Sequence, residues 1–182
     1  MITIISSTNR TGANTRQVAD IYASLLKDLN EKYQILDLKD LPHDFIFSAL
    51  FENRGNNPEF NETQKLIDES NKFVFIIPEY NGSFPGILKA FLDGLKFPGS
   101  FSGKAAAMVG LSSGTMGGSL AMSHLSDILN YLGLFVLPIK PRINNVHKII
   151  SEGKIDDIFI MDLLRQQAEQ LSKFHCLNSA KY

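Results

Sequence analysis

Apolar residues along this chain fall into two alternating patterns. Continuous short runs occur at Ile2-Thr3-Ile4-Ile5, Tyr33 to Leu38, Phe73-Val74-Phe75-Ile76-Ile77, Ala105 to Leu111 and Leu134-Phe135-Val136-Leu137. Runs of this length without strict alternation predict parallel strands buried on both faces. Between them the apolar positions recur at helical spacing. Val18, Ile21, Leu25 and Leu29 mark the buried face of a helix from about Asn14 to Asn30, and Phe84, Ile87, Leu88, Phe91 and Leu95 that of another. Further helices are expected at about Asn61 to Ser70, Ser119 to Leu132 and Ile155 to Phe174. Five strands alternating with helices predict an α/β fold, a doubly wound five-stranded parallel sheet of order 2-1-3-4-5.

Breakers punctuate this rhythm. Asp40-Leu41-Pro42 closes the second strand, Pro78 the third and Pro138 the fifth. Ser83 is placed to cap the next helix, with Pro85 tolerated in its first turn because a missing N–H has no partner to lose there. Between His43 and Glu59 the rhythm fails, with Phe45, Ile46, Phe47, Leu50 and Phe51 crowded ahead of the loop-like Asn53 to Pro58. A surface connection that tucks its phenylalanines into the core is the simpler expectation, and a mobile lid the alternative.

In a sheet of that order the loops after strands one, three and four meet where the strand order reverses. The first loop, Ser6 to Thr15, brings Ser7, Thr8, Arg10, Asn14 and Thr15 to a helix N-terminus. Backbone amides, the helix dipole and a forked guanidinium there suit an anion such as a terminal phosphate. The bland alternative is an ordinary helix cap beside a solvated arginine. No Gly-Lys-Ser/Thr ends the loop, and the Gly-x-Gly-x-x-Gly fingerprint is missing, so Asp37 after strand two reads as a turn residue rather than a ribose ligand. The second loop, Pro78, Glu79, Tyr80, Asn81, Gly82 and Ser83, presents peptide groups, an aromatic ring and a carboxamide, suited to a flat heterocycle with donors and acceptors. Glu79 has no second carboxylate near it in sequence and reads as solvated. The third loop contains Ser112, Ser113, Gly114, Gly117 and Gly118, glycines that let backbone amides approach a ligand, or simply make a flexible turn.

Composition narrows the possibilities. At 182 residues the chain is expected to be one domain, 1–182, burying roughly 70% of its unfolded surface. Eighteen basic against nineteen acidic side chains leave no electrostatic footprint for nucleic acid or a membrane surface. Cys176 is the only cysteine, and no apolar run approaches the roughly 18 residues of a membrane span, so a soluble protein of the reducing cytoplasm is expected. His43, His124, His147 and His175 lack metal-ligand spacing and read as surface or half-buried, and Ser112 and Ser113 lie outside any Gly-x-Ser-x-Gly elbow. No metal site and no hydrolase follow.

With these stretches in view, the chain resembles the NADPH-dependent FMN reductase family of flavodoxin-like proteins, which includes quinone, azo-dye and chromate reductases. Pro78 to Ser83 followed by Pro85-Gly86-Ile87-Leu88-Lys89 and Leu92-Asp93 is close to that family's most specific signature. Thr8, Arg10 and Thr15 match polar positions of its phosphate loop, and Gly110 to Gly118 is similar to its glycine-rich loop. Two residues depart from the pattern: Ser7 stands where glycine is usual, and Ala13 where a serine commonly meets phosphate. The resemblance implies FMN with its phosphate in the first loop and its ring between the second and third, NADPH or NADH as reductant, and a flavin, quinone or similar small-molecule acceptor. It implies no catalytic side chain, since the flavin itself carries the redox chemistry, and a homodimer or homotetramer. The competing expectations are a flavodoxin-like electron carrier, disfavoured by the near-neutral charge, and a flavin-free regulatory domain.

Overall fold

The computed structural model describes residues 1–151 and 153–177. In chain order the elements are β1 (Ile2–Ser6), α1 (Asn14–Asp28), β2 (Tyr33–Asp37), α2 (Phe45–Ser48), α3 (Pro58–Asp68), β3 (Lys72–Pro78), α4 (Gly86–Gly94) and β4 (Ala105–Leu111). They continue with α5 (Ser119–Tyr131), β5 (Phe135–Val136), β6 (Arg142–Ile143), α6 (Val146–Ile149), β7 (Ile150–Ser151), β8 (Lys154–Ile155) and α7 (Ile158–Lys173). The main sheet is parallel with order β2-β1-β3-β4-β5, as the alternating runs predict. β7 and β8 form a separate antiparallel hairpin.

The sheet divides two cores. Successive strand residues point to opposite faces, so Phe73, Phe75 and Ile77 of β3 enter one core and Val74 and Ile76 the other. The first core is aromatic: Phe101 meets Phe73 edge-on at 5.0 Å, and Phe45 stacks on Phe60 at 5.4 Å. Small residues opposite the large ones make room for this, Ala106 pairing with Phe73 in register. The second core is mostly aliphatic, with Tyr22 its one fully buried aromatic, and lies under α1 and α7.

Four details depart from the expected pattern. The face of α1 turned into the core carries Val18, Ala19, Tyr22, Ala23 and Leu26. Of the expected stripe only Val18 belongs to it; Ile21, Leu25 and Leu29 are partly buried at its margin. Leu25 and Leu29 line a cleft with Arg165, Ala168 and Glu169, because α1 must cover α7 as well as the sheet.

Second, the helix after β3 begins at Gly86 with Pro85 at the capping position and no side-chain cap, so Ser83 does not serve as one. Third, the His43 to Glu59 stretch divides its phenylalanines. Phe45 is buried with Ala49 and Leu50, whereas Phe47 and Phe51 are 82% and 70% exposed.

Fourth, the fifth strand is broken in two. β5 pairs with Ala105 and Ala106, and β6 rejoins the same edge of β4 at Gly110 and Leu111. Pro138 and Pro141 flank the gap, each lacking the N–H that a continuous ladder needs. Gln167 of α7, fully buried, fills it: its Nε2 donates to the Met108 carbonyl at 2.9 Å and the Ile139 carbonyl at 2.6 Å. A buried amide thus satisfies acceptors that the interrupted strand leaves bare.

Candidate functional site

β1, β3 and β4 are neighbours in the sheet, and their tips, Ser6, Pro78 and Leu111, open onto the three polar loops. Backbone bonds lock those loops side by side. The Ser7 amide donates to the Ile76 carbonyl at 3.1 Å, and the Glu79 amide to that of Leu111 at 3.0 Å. Side chains add a further tie, since the Thr8 hydroxyl and the Tyr80 phenol share a hydrogen bond of 2.8 Å. The phenol of the second loop therefore reaches the first.

In the first loop the individual residues have different fates. Ser7 is fully buried and its hydroxyl donates to the Ile5 carbonyl, leaving no free donor. Thr8 is buried too, its oxygen also accepting from the Arg10 amide at 3.3 Å. Arg10 is exposed and forms no ion pair among the described residues. Arg16 is already committed: its hydrogen bond to Asp20, the largest cause, raises its pKa, with Asp37 adding to the effect. Asp37 also accepts from the Lys39 amide, the turn role expected of it. Asn14 and Thr15 open α1, which starts at Ala13 with no side-chain cap and no acidic residue in its first turn. The Arg16 amide turns back to the Ala13 carbonyl at 3.1 Å, which leaves the amides of Asn14 and Thr15, at the positive end of the helix dipole, without a partner among the described residues.

The second loop is a tight turn. Tyr80 and Ser83 exchange backbone bonds of 2.8 and 3.1 Å, with Asn81 at φ 51° and Gly82 at φ 75° between them. Positive φ at both central positions is the requirement that makes Asn-Gly suitable. Ser83 Oγ pairs at 3.0 Å with Nδ1 of His124 on α5, which fastens the turn's far end. Asn81 projects into solvent between these two anchors.

The third loop uses its glycines differently from the expectation. A Cβ at Gly117 would lie 2.8 Å from the Cβ of Arg142, and one at Gly118 2.8 Å from the Leu111 nitrogen. Their missing side chains admit neighbouring protein backbone, whereas only Gly114 of the three faces open space. Ser112 Oγ donates to the Gly114 carbonyl and accepts from the Gly117 amide, closing the loop on itself. Ser113 and Gly114 remain exposed at its crest.

Among the described residues, six buried side-chain polar atoms have no hydrogen-bond partner. Ser6 Oγ, Asp37 Oδ2 and Glu79 Oε2 lie at or just past the tips of β1, β2 and β3, and Ser119 Oγ begins α5 just after the third loop. Asp37 Oδ2 does stand 3.5 Å from Arg16. Unpaired polar atoms of this kind are uncommon in a folded interior. Ser6 and Glu79 stand where the first two loops leave their strands and Ser119 where the third ends, Glu79 thus being less solvated than expected, whereas Tyr22 Oη and Gln167 Oε1 belong to α1 and α7. No group of three or more potential metal-ligating side chains occurs among the described residues.

One contributor escaped the sequence pattern. The segment from Arg142 to His147 straps the third loop, with the Ser112 amide donating to Ile143, Asn145 to Gly114 and Val146 to Ser112. Prolines hid it by dividing an apolar run into pieces too short to read as strands.

A doubly wound parallel sheet of order β2-β1-β3-β4-β5, with three polar loops side by side at its reversal point, is a flavodoxin-like arrangement. The model of the NADPH-dependent FMN reductase family matches residues 1–148, and the chain belongs to that family. Its members are enzymes that use FMN with NAD(P)H as reductant. The chain is 30% identical over 159 residues to a 2-hydroxy-1,4-benzoquinone reductase of Burkholderia sp, covering 85% of this chain and 81% of that protein. Among solved structures it is similar to a flavoenzyme NAD(P)H:(acceptor) oxidoreductase of Paracoccus denitrificans, with TM-score 0.74, 22% identity and 93% of each chain covered. It is also similar to a flavodoxin of Streptococcus pneumonia, with TM-score 0.62, 15% identity, and 94% and 95% of the two chains covered. At these identities the structural likeness is one of fold.

The residues present fit FMN. The uncapped amides of α1 with Arg10 and Asn14 suit a phosphate, and the exposed polar crests of loops two and three suit the edge of an isoalloxazine.

Proposed function

We propose that this protein passes reducing equivalents from NADPH or NADH to a flavin, a quinone or a similar small-molecule acceptor. The observation that carries this reading is the uncapped, carboxylate-free start of α1 standing next to the polar turn Tyr80 to Ser83. When bound, FMN supplies the redox chemistry, accepting hydride from the nicotinamide and releasing electrons to the acceptor. The chain's own residues bind and orient. Arg10, Asn14, Thr15 and the leading amides of α1 hold the phosphate, Thr8 acting through its tie to Tyr80. Asn81, Ser113 and Gly114 present dipoles to the ring edge, where preorganised donors stabilise developing negative charge. The rigid anchors on either side of the turn fix the ring's stacking face. Ser7, Gly117 and Gly118 support this arrangement by shaping the loops.

The unit is read as one domain acting as a homodimer or homotetramer. Support comes from an exposed apolar face on which Phe97 and Tyr131 stack at 6.0 Å, with Phe51 lining the same cleft. A cytoplasmic location accords with the single cysteine. Among the described residues no helix is long and apolar enough to cross a membrane.

The test is anaerobic mixing of the FMN-loaded protein with NADPH and, separately, NADH, followed through the visible flavin band. Bleaching, then recovery on adding a quinone, is expected. A flavin that neither nucleotide bleaches would leave an electron carrier as the better description.

A further inference from the structure

The strap that holds the third loop continues directly to the phosphate end of the site. Asn145 stands between the two, with φ 44°, a left-handed conformation that asparagine adopts more readily than most residues with a side chain. Bonds on both sides enforce it: its amide donates to the Gly114 carbonyl at 2.9 Å and its carbonyl accepts from the Lys148 amide at 2.7 Å. Two residues on, the exposed ring of His147 stands with Nδ1 3.3 Å from Nδ2 of Asn14, the first residue of α1.

The hydrogen bonds around Asn14 determine which imidazole nitrogen carries the proton. Gln17 Nε2 donates to Asn14 Oδ1 at 3.2 Å, so the Asn14 amide turns its N–H group to His147. With the Asn14 amide in this orientation its nitrogen donates to Nδ1, and the neutral ring then carries its proton on Nε2. Among the described residues nothing engages that Nε2–H, and no carboxylate forms an ion pair with the ring. A free donor is thereby fixed beside the helix start that has no cap of its own.

We propose that His147 is a phosphate-binding residue of the cofactor site, which favours FMN over unphosphorylated riboflavin. Asn14 is its positioning residue. The inference rests on the reading that the FMN phosphate lies at the start of α1. It gives the Arg142 to His147 segment two roles, strapping the ring loop and completing the phosphate cradle.

The experiment is fluorescence titration of the apoprotein with FMN and, separately, with riboflavin, for wild type, His147→Ala and His147→Gln. His147→Ala should weaken FMN about tenfold or more, the scale of a hydrogen bond to a charged group. Riboflavin affinity should stay unchanged. His147→Gln, which retains an N–H donor, should recover part of the loss. FMN affinity unmoved by His147→Ala would overturn the proposal, and so would equal weakening of FMN and riboflavin, the mark of a merely structural strap. Wild type that binds neither flavin would overturn the parent reading as well, whereas wild type that binds FMN while His147→Ala changes nothing sinks this inference alone.

Discussion

Helix starts in this protein come in two kinds. α3 and α7 are closed by their own side chains: Asn57 Oδ1 accepts from the Phe60 amide and Asp157 Oδ1 from the Ile160 amide, each at 3.0 Å. α1 begins at Ala13, α4 at Pro85 and α5 at Gly118, and none of these has a side-chain cap. The four-residue helices α2 and α6 also lack a side-chain cap, but among the longer helices the uncapped ones are those that follow the three polar loops. A cap is typically worth about 1 kcal/mol, so its omission at three helices that follow neighbouring strands gives up stability where a ligand can supply the missing acceptor.

Giving α1 the kind of start that α7 has should produce the largest effect. Ala13→Asp should raise the stability of the flavin-free protein by about 1 kcal/mol in denaturant unfolding. It should also weaken FMN by about 2 to 4 kcal/mol, the repulsion between a carboxylate and a dianion about 5 Å apart at an effective dielectric constant of roughly 40. A variant more stable and equally avid for FMN would show that the helix start is not the phosphate site. Next in size, Arg10→Ala should cost about 1.5 to 3 kcal/mol of FMN affinity in a fluorescence titration; an unchanged dissociation constant removes the guanidinium from the cradle.

The converse change belongs to the capped helices. Asp157→Ala should lower unfolding stability by about 1 kcal/mol and leave FMN affinity alone, so that any loss of flavin would erase the distinction between the two kinds of start. Smallest of all, Tyr80→Phe should weaken FMN by about 0.5 to 1.5 kcal/mol through release of Thr8. Equal losses for FMN and riboflavin in that variant would indicate that the tie shapes the turn rather than the phosphate loop.

Much of this was legible in the chain. The continuous apolar runs located the strands of a parallel sheet, and the Pro78 to Ser83 stretch located the turn, because Asn-Gly dictates its backbone directly. What stayed hidden depended on tertiary partners. Ser7 and Ser83 carry hydroxyls that read as ligand donors or caps, yet one bonds its own strand and the other His124. The glycines of the third loop read as a ligand-facing surface, but Gly117 and Gly118 make space for Arg142 and β4, a closeness that no local pattern reveals. His147, which lacks metal-ligand spacing, reads as a surface histidine and is exposed, but its contact with Asn14, 133 residues away in sequence, has no local signal.

The buried amide of Gln167 makes the last long helix a working part of the central sheet. The family match ends at residue 148, yet two carbonyls within it depend on a side chain beyond that limit. A fragment cut at that boundary would lose this amide and the apolar face of α7 that covers the second core, so the piece needed for a closed interior is larger than the stretch by which its kinship is recognised.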